Sequence, residues 1–128
     1  MTTTATFGSW ESPISADDTV AGIVRFSDIQ YDDGTLYWLE SRPSEGGRTV
    51  LVRRLLDGTI EEVLPGTSNV RTMVHEYGGG AYLAGGGEIF YSEFADQRVY
   101  HLGSDGVVSS LTAESTRPSA SRYGNAVR

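Results

Sequence analysis

The chain has 128 residues, a formal net charge of −7 at pH 7 and no cysteine. Its length is that of one ordinary domain with a real core, and its acidity argues against a nucleic-acid partner and against adsorption to anionic lipid. The lack of cysteine excludes disulfides, thiolate nucleophiles and cysteine-ligated zinc.

Residues 1–20 form an N-terminal segment with no regular pattern beyond a weak helical signal at 13–20. The segment has neither the basic region nor the apolar region of a secretory signal. No apolar run anywhere in the chain approaches the roughly 20 residues that span a bilayer. We therefore expect a soluble, cytoplasmic protein with no membrane partner.

Residues 21–65 contain four short runs rich in Val, Ile, Leu, Tyr and Trp, which predict four β-strands. The turn-forming clusters YDDG, RPSEGG and LLDG separate these runs. In the second run, TLYWLE, both alternating sets of side chains are apolar, which is typical of a strand that is covered on both faces. The predicted strands lie at 21–30, 34–41, 48–54 and 59–64.

A linker at 66–78 leads to residues 79–112, where the same series of runs returns. Three pairs of positions correspond, at offsets of about 48 to 53 residues: Gly34 with Gly87, Arg48 with Arg98, and Asp57-Gly58 with Asp105-Gly106. Four strands per unit and a period near 50 residues indicate the blades of a β-propeller. The repeat therefore predicts two consecutive blades.

The predicted fold class is all-β, with about two four-stranded antiparallel blades and, at 113–128, the start of a third blade or a tail. A propeller typically has four to eight blades. We therefore expect a partial propeller, that is, a fragment of a ring.

The pair His75-Glu76 stands before the glycines at 78–80, and a second glycine run follows at 85–87. A helical zinc motif would need a histidine at position 79, which is glycine. A phosphate-binding loop would need a lysine and a Ser or Thr after the glycines, and both are missing. A general-base pair of His75 and Glu76 stays open, because histidine titrates near neutrality.

A structural interpretation of this stretch is favoured. Glycines at 78–80 would turn the chain from the linker into the crowded innermost strand of a blade, and those at 85–87 would form the next hairpin turn. His75, Glu76 and Tyr77 would then donate or accept hydrogen bonds that fix the linker. The stretch is predicted to be a blade corner.

Other conspicuous residues are also interpreted as structural. Trp10 and Trp38 are expected to be packing anchors, because large aromatic side chains dominate cores. Three carboxylate pairs lack the alternating ladder of a calcium loop: Asp17 with Asp18, Asp32 with Asp33, and Glu61 with Glu62. We therefore predict no metal and no cofactor.

Four segments carry a resemblance to a known family: SPISAD, YWLESRPSEGGRTVLVRR, NVRTMVHEYGGGAY and YSEFADQRVYHL. They resemble the N-terminal propeller of the prolyl oligopeptidase (S9) family of serine peptidases, in particular its bacterial dipeptidyl aminopeptidase/acylaminoacyl-peptidase-like members. The resemblance implies a propeller that caps an α/β-hydrolase domain. That domain would supply a Ser-Asp-His triad and remove short peptides or acyl-amino acids from N-termini.

The sequence lacks the catalytic part of that family. It contains no Gly-x-Ser-x-Gly nucleophile elbow, and its two histidines, His75 and His101, both fall in the propeller portion. No catalytic residue is therefore assigned to this chain, and we expect no peptidase activity from it alone.

Three functional hypotheses remain. The favoured one is a non-catalytic propeller fragment that gates substrate access in the full-length peptidase. The second is a stand-alone β module that binds a partner or assembles with itself, and the third is a small enzyme that uses His75 and Glu76. Because uncovered blade faces would meet water, the expected partners are the α/β-hydrolase domain of a parent chain or, if the chain is isolated, further copies of itself.

Overall fold

The structure, a computed structural model, describes residues 4–9, 12–20, 22–117 and 121–127. Its described part has one α-helix, α1 (Ala16–Val20), within the stretch that has the weak helical signal. Ser15 caps this helix. Its Oγ accepts a hydrogen bond from the Asp18 backbone N–H at 3.0 Å, and Asp18 Oδ2 accepts one from the Ser15 N–H at 2.9 Å, which is a reciprocal capping pair.

Eight strands form two four-stranded antiparallel sheets, and in each sheet the spatial order follows the chain order. The strands are β1 (Arg25–Asp32), β2 (Thr35–Arg42), β3 (Arg48–Arg54) and β4 (Ile60–Glu62), then β5 (Tyr82–Gly85), β6 (Glu88–Ser92), β7 (Val99–Leu102) and β8 (Val108–Ser110). The predicted all-β fold with two blade-like sheets is confirmed. The first sheet lies within the predicted segment 21–65, the second within 79–112, and the connection between them within 66–78. The division of the chain into domains at these limits stays a prediction.

The described ranges contain no helix that is long and apolar enough to cross a bilayer. Residues 113–117 and 121–127 form no strand.

The first turn of each sheet has the same geometry. Asp33-Gly34 joins β1 to β2 with φ angles of 39° and 84°, and Gly86-Gly87 joins β5 to β6 with φ angles of 66° and 77°. Two successive residues with positive φ form the tight hairpin turn that fits the right-handed twist of the strands. Gly87 follows Gly34 by 53 residues, so the turns occur at the spacing that the repeat predicts.

The last turn of each sheet also repeats. Asp57 Oδ1 accepts a hydrogen bond from the Thr59 N–H at 2.8 Å, and Asp105 Oδ1 accepts one from the Val107 N–H at 3.0 Å. In both turns the aspartate side chain bonds to the backbone two residues later, which stabilises the turn. The correspondence of Asp57-Gly58 with Asp105-Gly106 is thus structural as well as sequential.

The core lies between the two sheets. The first sheet contributes Tyr37, Leu39 and Leu51, and the second contributes Ala81, Tyr82, Ile89 and Tyr91. Leu51 is fully buried. The sheets are therefore stacked face to face, as neighbouring blades are.

Strand β2 is apolar on both sides, but only one side is covered. Tyr37 and Leu39 are buried in the core, whereas Leu36 and Trp38 line a shallow apolar hollow on the opposite face. Trp38 is therefore not part of the core between the sheets, contrary to its expected role as a core anchor. Trp10, the other expected anchor, lies outside the described residues.

Gln30 joins the two sheets at their adjacent edge strands, β1 and β5. Its Nε2 donates to the Tyr82 carbonyl at 3.0 Å, and its Oε1 accepts from the Ala84 N–H at 2.9 Å. Tyr82 returns a hydrogen bond from its hydroxyl to the Asp28 carbonyl. We call the two bonds of the Gln30 side chain the Gln30 clamp.

An ionic cluster covers the far end of the first sheet. Arg42 contacts Glu40 at 2.7 Å and Glu62 at 2.5 Å, and Arg48 contacts Glu45 at 2.5 Å. The hydrogen bond from Arg42 lowers the pKa of the Glu62 carboxyl from its usual value, and the one from Arg48 lowers that of Glu45. Because solvent screens these exposed and partly exposed charges, the cluster contributes little to stability.

Candidate functional site

The His-Glu pair lies on an exposed turn just before the second sheet. Residues Val74–Glu76 form a tight turn, in which His75 has a φ of 58° and Glu76 a φ of 68°. Few residues other than glycine adopt these left-handed angles. All three predicted side chains, those of His75, Glu76 and Tyr77, are exposed, and Tyr77 is 90% exposed.

The backbone and two distant side chains hold this turn. The Gly78 N–H donates to the Val74 carbonyl at 2.9 Å. Gln97 Oε1 accepts from the Met73 N–H at 2.7 Å, and Arg122 Nη1 donates to the Met73 carbonyl at 3.1 Å. The turn is therefore fixed mainly by residues that follow it in the chain.

The prediction that His75, Glu76 and Tyr77 fix the linker by hydrogen bonds is correct for Glu76 only. The Glu76 carboxylate pairs with the Arg122 guanidinium. Among the described residues, the His75 ring has no hydrogen bond, and its nearest aromatic neighbour is Tyr77 at 6.4 Å between ring centroids. The His75 side chain is exposed, so water can satisfy its ring nitrogens, and the prediction is wrong for this residue.

We expect His75→Ala to leave the free energy of unfolding within about 0.5 kcal/mol of the parent value, because the side chain is exposed. Gln97→Ala is the matched comparison. Gln97 is 2% exposed, and its loss leaves the Met73 N–H unpaired, which should cost about 1 to 3 kcal/mol. Urea unfolding of both variants provides the measurement, and a larger loss for His75→Ala than for Gln97→Ala would contradict this account.

The predicted blade corner is formed by glycines 78–80 together with residues near the C-terminus. The Asn125 N–H donates to the Gly80 carbonyl at 2.8 Å, and Asn125 Oδ1 accepts from the Gly80 N–H at 2.8 Å. A Cβ at Gly79 would lie 2.8 Å from Val74 Cγ1, so a larger residue does not fit there without a shift. Gly78 has a φ of 97°, which suits only glycine.

Polar side chains that sequence reasoning did not single out anchor the linker. Asn69 Oδ1 accepts from the Thr49 N–H at 2.9 Å, and the Asn69 N–H donates to the Glu93 carboxylate at 3.1 Å. Burial raises the pKa of the Glu93 carboxyl above its usual range. Thr72 is 2% exposed and donates from its hydroxyl to the Tyr123 carbonyl. The only sequence signal for these roles is a polar residue between strands, which many exposed loops share.

The two histidines are not brought together. His101 lies on β7, where its ring stacks on Phe90 at 4.8 Å between centroids and its Nε2 is 3.6 Å from Glu88 Oε1. That Nε2 atom is buried and has no hydrogen-bond partner among the described residues. His75 lies on the exposed turn, so a catalytic site that uses both histidines has no geometric support.

The carboxylate pairs have structural partners. Asp18 caps α1, Asp33 lies in a hairpin turn, and Asp32 Oδ2 accepts from the Gly87 N–H at 3.1 Å. Glu61 contacts Arg53 at 2.6 Å. Within the described ranges, no three His, Asp or Glu side chains are grouped as metal ligands.

A cavity of about 380 Å³ lies between the second sheet and the C-terminal segment. Its walls include Phe90, Ser92 and Val99 from the sheet and Arg122 and Tyr123 from the C-terminal segment. The walls are mostly apolar. Such a cavity has the character of an uncovered packing face and lacks the convergent polar groups of a catalytic pocket.

No protein-family model matches the chain, and no curated protein matches it. Solved structures do match. Puromycin hydrolase is 32% identical, with a TM-score of 0.82 over 99% of this chain and 21% of that chain. A mutant of puromycin hydrolase complexed with PGG is 34% identical, with a TM-score of 0.73 over 88% of this chain and 18% of that chain.

A puromycin-hydrolyzing peptidase of Mycobacterium tuberculosis is 36% identical, with a TM-score of 0.77 over 94% of this chain and 19% of that chain. The chain thus spans about a fifth of the length of the proteins that it matches.

Proposed function

Because the chain belongs to the prolyl oligopeptidase family of serine peptidases, we propose that it is a non-catalytic part of a propeller that gates substrate access in such a peptidase. The observation that carries the proposal is the match of two stacked four-stranded sheets to about a fifth of puromycin hydrolase. The nucleophilic serine would come from residues outside these 128, since the sequence has no Gly-x-Ser-x-Gly.

The names of the matched structures supply the substrate class that we propose: all three are named for puromycin or its hydrolysis, and one of the three is a complex with PGG. We assign puromycin and short peptides with a free amino group to the peptidase that contains this chain. The net charge of −7 supports this assignment, because an acidic surface attracts a cationic amine.

Gating requires that neighbouring blades stay in contact. The Gln30 clamp joins the two sheets of this chain and is one of the contacts that hold them together. In the polypeptide that joins this chain to its hydrolase domain, Gln30→Ala should loosen the contact between the first two blades. We expect kcat/KM for a long peptide to rise several-fold while kcat/KM for puromycin stays nearly constant.

Ser27→Ala is the matched control, because Ser27 lies on the same strand and is exposed. A parallel change for the long and the short substrate would contradict gating.

The chain alone should not react with a fluorophosphonate probe, and labelling of the purified 128-residue chain would contradict its non-catalytic role.

The second candidate function is a stand-alone β module that assembles with itself. The apolar side chains that the first sheet exposes on its open face favour it: Phe26 is 64% and Ile29 is 68% exposed.

For either function we propose a cytoplasmic location, which the lack of cysteine supports. Fractionation of the cells that produce the protein tests this location, and recovery outside the cytoplasm would contradict it.

A further inference from the structure

The sequence contains three Asp-Gly pairs, and each lies in a turn between two strands: Asp33-Gly34, Asp57-Gly58 and Asp105-Gly106. All three aspartate side chains are exposed. Before glycine, an aspartate carboxyl meets the next backbone nitrogen with little steric hindrance, because glycine has no Cβ. The three pairs therefore offer the same reaction between these two groups, and the fold decides which pair undergoes it.

The reaction is closure of a succinimide ring, which leads to isoaspartate. The glycine nitrogen bonds to Cγ of the protonated aspartate carboxyl, and the hydroxyl of that carboxyl leaves with the amide proton as water. Water then adds to one of the two ring carbonyls and breaks its bond to the nitrogen. Addition at Cγ restores aspartate, whereas addition at the main-chain carbonyl leaves the chain connected through Cγ, which is isoaspartate. Water is the only co-reactant.

The turn at Asp57-Gly58 holds both reacting groups. Asp57 Oδ1 accepts a hydrogen bond from the Thr59 N–H at 2.8 Å, and the Gly58 N–H donates to the Leu55 carbonyl at 3.0 Å. The carboxyl is thus bound two residues along the chain, away from the Gly58 nitrogen. The hydrogen bond from Thr59 also lowers the pKa of the Asp57 carboxyl, so the protonated form that loses the hydroxyl is scarcer.

The turn at Asp105-Gly106 holds the two groups in the same way. Asp105 Oδ1 accepts from the Val107 N–H at 3.0 Å, and the Gly106 N–H donates to the Gly103 carbonyl at 2.9 Å. Ring closure in either of these turns first has to break two hydrogen bonds. We therefore expect both pairs to be protected as long as the chain is folded.

The turn at Asp33-Gly34 holds neither group. In the part of the chain that the structure describes, no group is hydrogen-bonded to the Asp33 carboxylate or to the Gly34 N–H. Asp33 also has a φ of 39°, in the left-handed region that few residues other than glycine adopt, and this strain favours local opening of the turn. Asp33 and Asp57 are both followed by Gly-Thr, so the difference between them comes from the fold.

We propose that Asp33 is the site at which the folded chain forms isoaspartate. The modified turn contains one more backbone carbon between β1 and β2. Next to it, Asp32 pairs with Thr35 across the two strands and accepts a hydrogen bond from the Gly87 N–H at 3.1 Å. The extra carbon displaces these strand ends and loosens the contact between the first turns of the two sheets.

Incubation of the folded chain, followed by proteolytic digestion and mass spectrometry with electron-transfer fragmentation, measures isoaspartate at each site. We expect it to form at Asp33 about tenfold faster than at Asp57, because each hydrogen bond at Asp57 slows ring closure several-fold. In urea that unfolds the chain, the two Asp-Gly-Thr sites should react at equal rates. Equal rates in the folded chain, no isoaspartate at Asp33, or an unchanged preference for Asp33 in urea would overturn the proposal.

Asp33→Gly is the blocking variant, because it removes the carboxyl and gives this turn the two glycines of the Gly86-Gly87 turn, which has positive φ at both positions. Asp33→Asn is the positive control. Its side-chain amide closes the same ring with ammonia as the leaving group, so isoaspartate should appear at position 33 in this variant too. Circular dichroism and cooperative urea unfolding confirm that both variants are folded.

The loosening of the turn has its own measurement. The incubated parent chain should unfold at a lower urea concentration than the fresh chain, whereas incubated and fresh Asp33→Gly should unfold alike. An unchanged midpoint in chains that carry isoaspartate at position 33 would overturn this consequence. None of these outcomes depends on the gating function, which the fluorophosphonate and peptide-length experiments test separately.

Discussion

Leu51→Ala should lower the free energy of unfolding by about 2 to 5 kcal/mol, the range for removal of a large aliphatic side chain from a packed core. Leu51 is fully buried on β3 and belongs to the cluster that joins the two sheets. The loss has two parts, the transfer free energy of the removed methyl groups and the cavity that the stacked sheets cannot fill by collapse. Urea unfolding at one fixed protein concentration measures it.

Leu56→Ala is the matched control, since the same chemical change is made at a residue that is 82% exposed. We expect it to change the free energy of unfolding by less than about 0.5 kcal/mol. If the two variants lost similar stability, the two sheets would not share one cooperative core, and the contact between them would be weaker than their stacking implies.

The repeat is the part of the fold that local sequence chemistry could predict. Gly34 and Gly87 mark tight turns because few other residues adopt the positive φ that these turns need. Asp57 and Asp105 mark the last turns because their side chains bond to the backbone two residues later. Such signals depend on a few neighbouring residues, so they are visible without knowledge of the folded chain.

The contacts between distant segments could not be predicted in this way. Gln97 bonds to Met73 from 24 residues away, and Asn125 bonds to Gly80 from 45 residues away. His75 was expected to take part in such contacts, but its side chain is exposed. Which polar side chain meets an unpaired backbone group depends on the tertiary structure, and a single sequence does not contain that information in local form.

Trp38 shows a different limit. Its alternation with Leu36 correctly indicates a second apolar face on β2, but the pattern does not say which molecule or segment covers that face. Within the described chain nothing covers it except neighbouring side chains of the same sheet, and Trp38 Nε1 donates to Glu40 Oε1 at 3.0 Å. The sequence pattern therefore predicts that this face of the strand is apolar, but it does not predict which residues or which molecule cover the face.

Gln30→Ala should lower the free energy of unfolding by about 2 to 4 kcal/mol, since it leaves the Tyr82 carbonyl and the Ala84 N–H without their partner and each unpaired group costs about 1 to 3 kcal/mol. Gln30→Glu makes the test specific. A carboxylate can still accept from the Ala84 N–H but cannot donate to the Tyr82 carbonyl.

The glutamate variant should therefore also be destabilised, and most strongly at a pH where the new carboxylate is charged, because that charge faces a carbonyl oxygen. Protonation at low pH restores a donor, so the difference from the parent should shrink as the pH falls through the pKa of the new carboxyl. Urea unfolding of both variants at neutral and acidic pH measures this. If Gln30→Ala were no more destabilised than Ser27→Ala, water would replace the side-chain amide at no cost, and the core residues alone would hold the blades together.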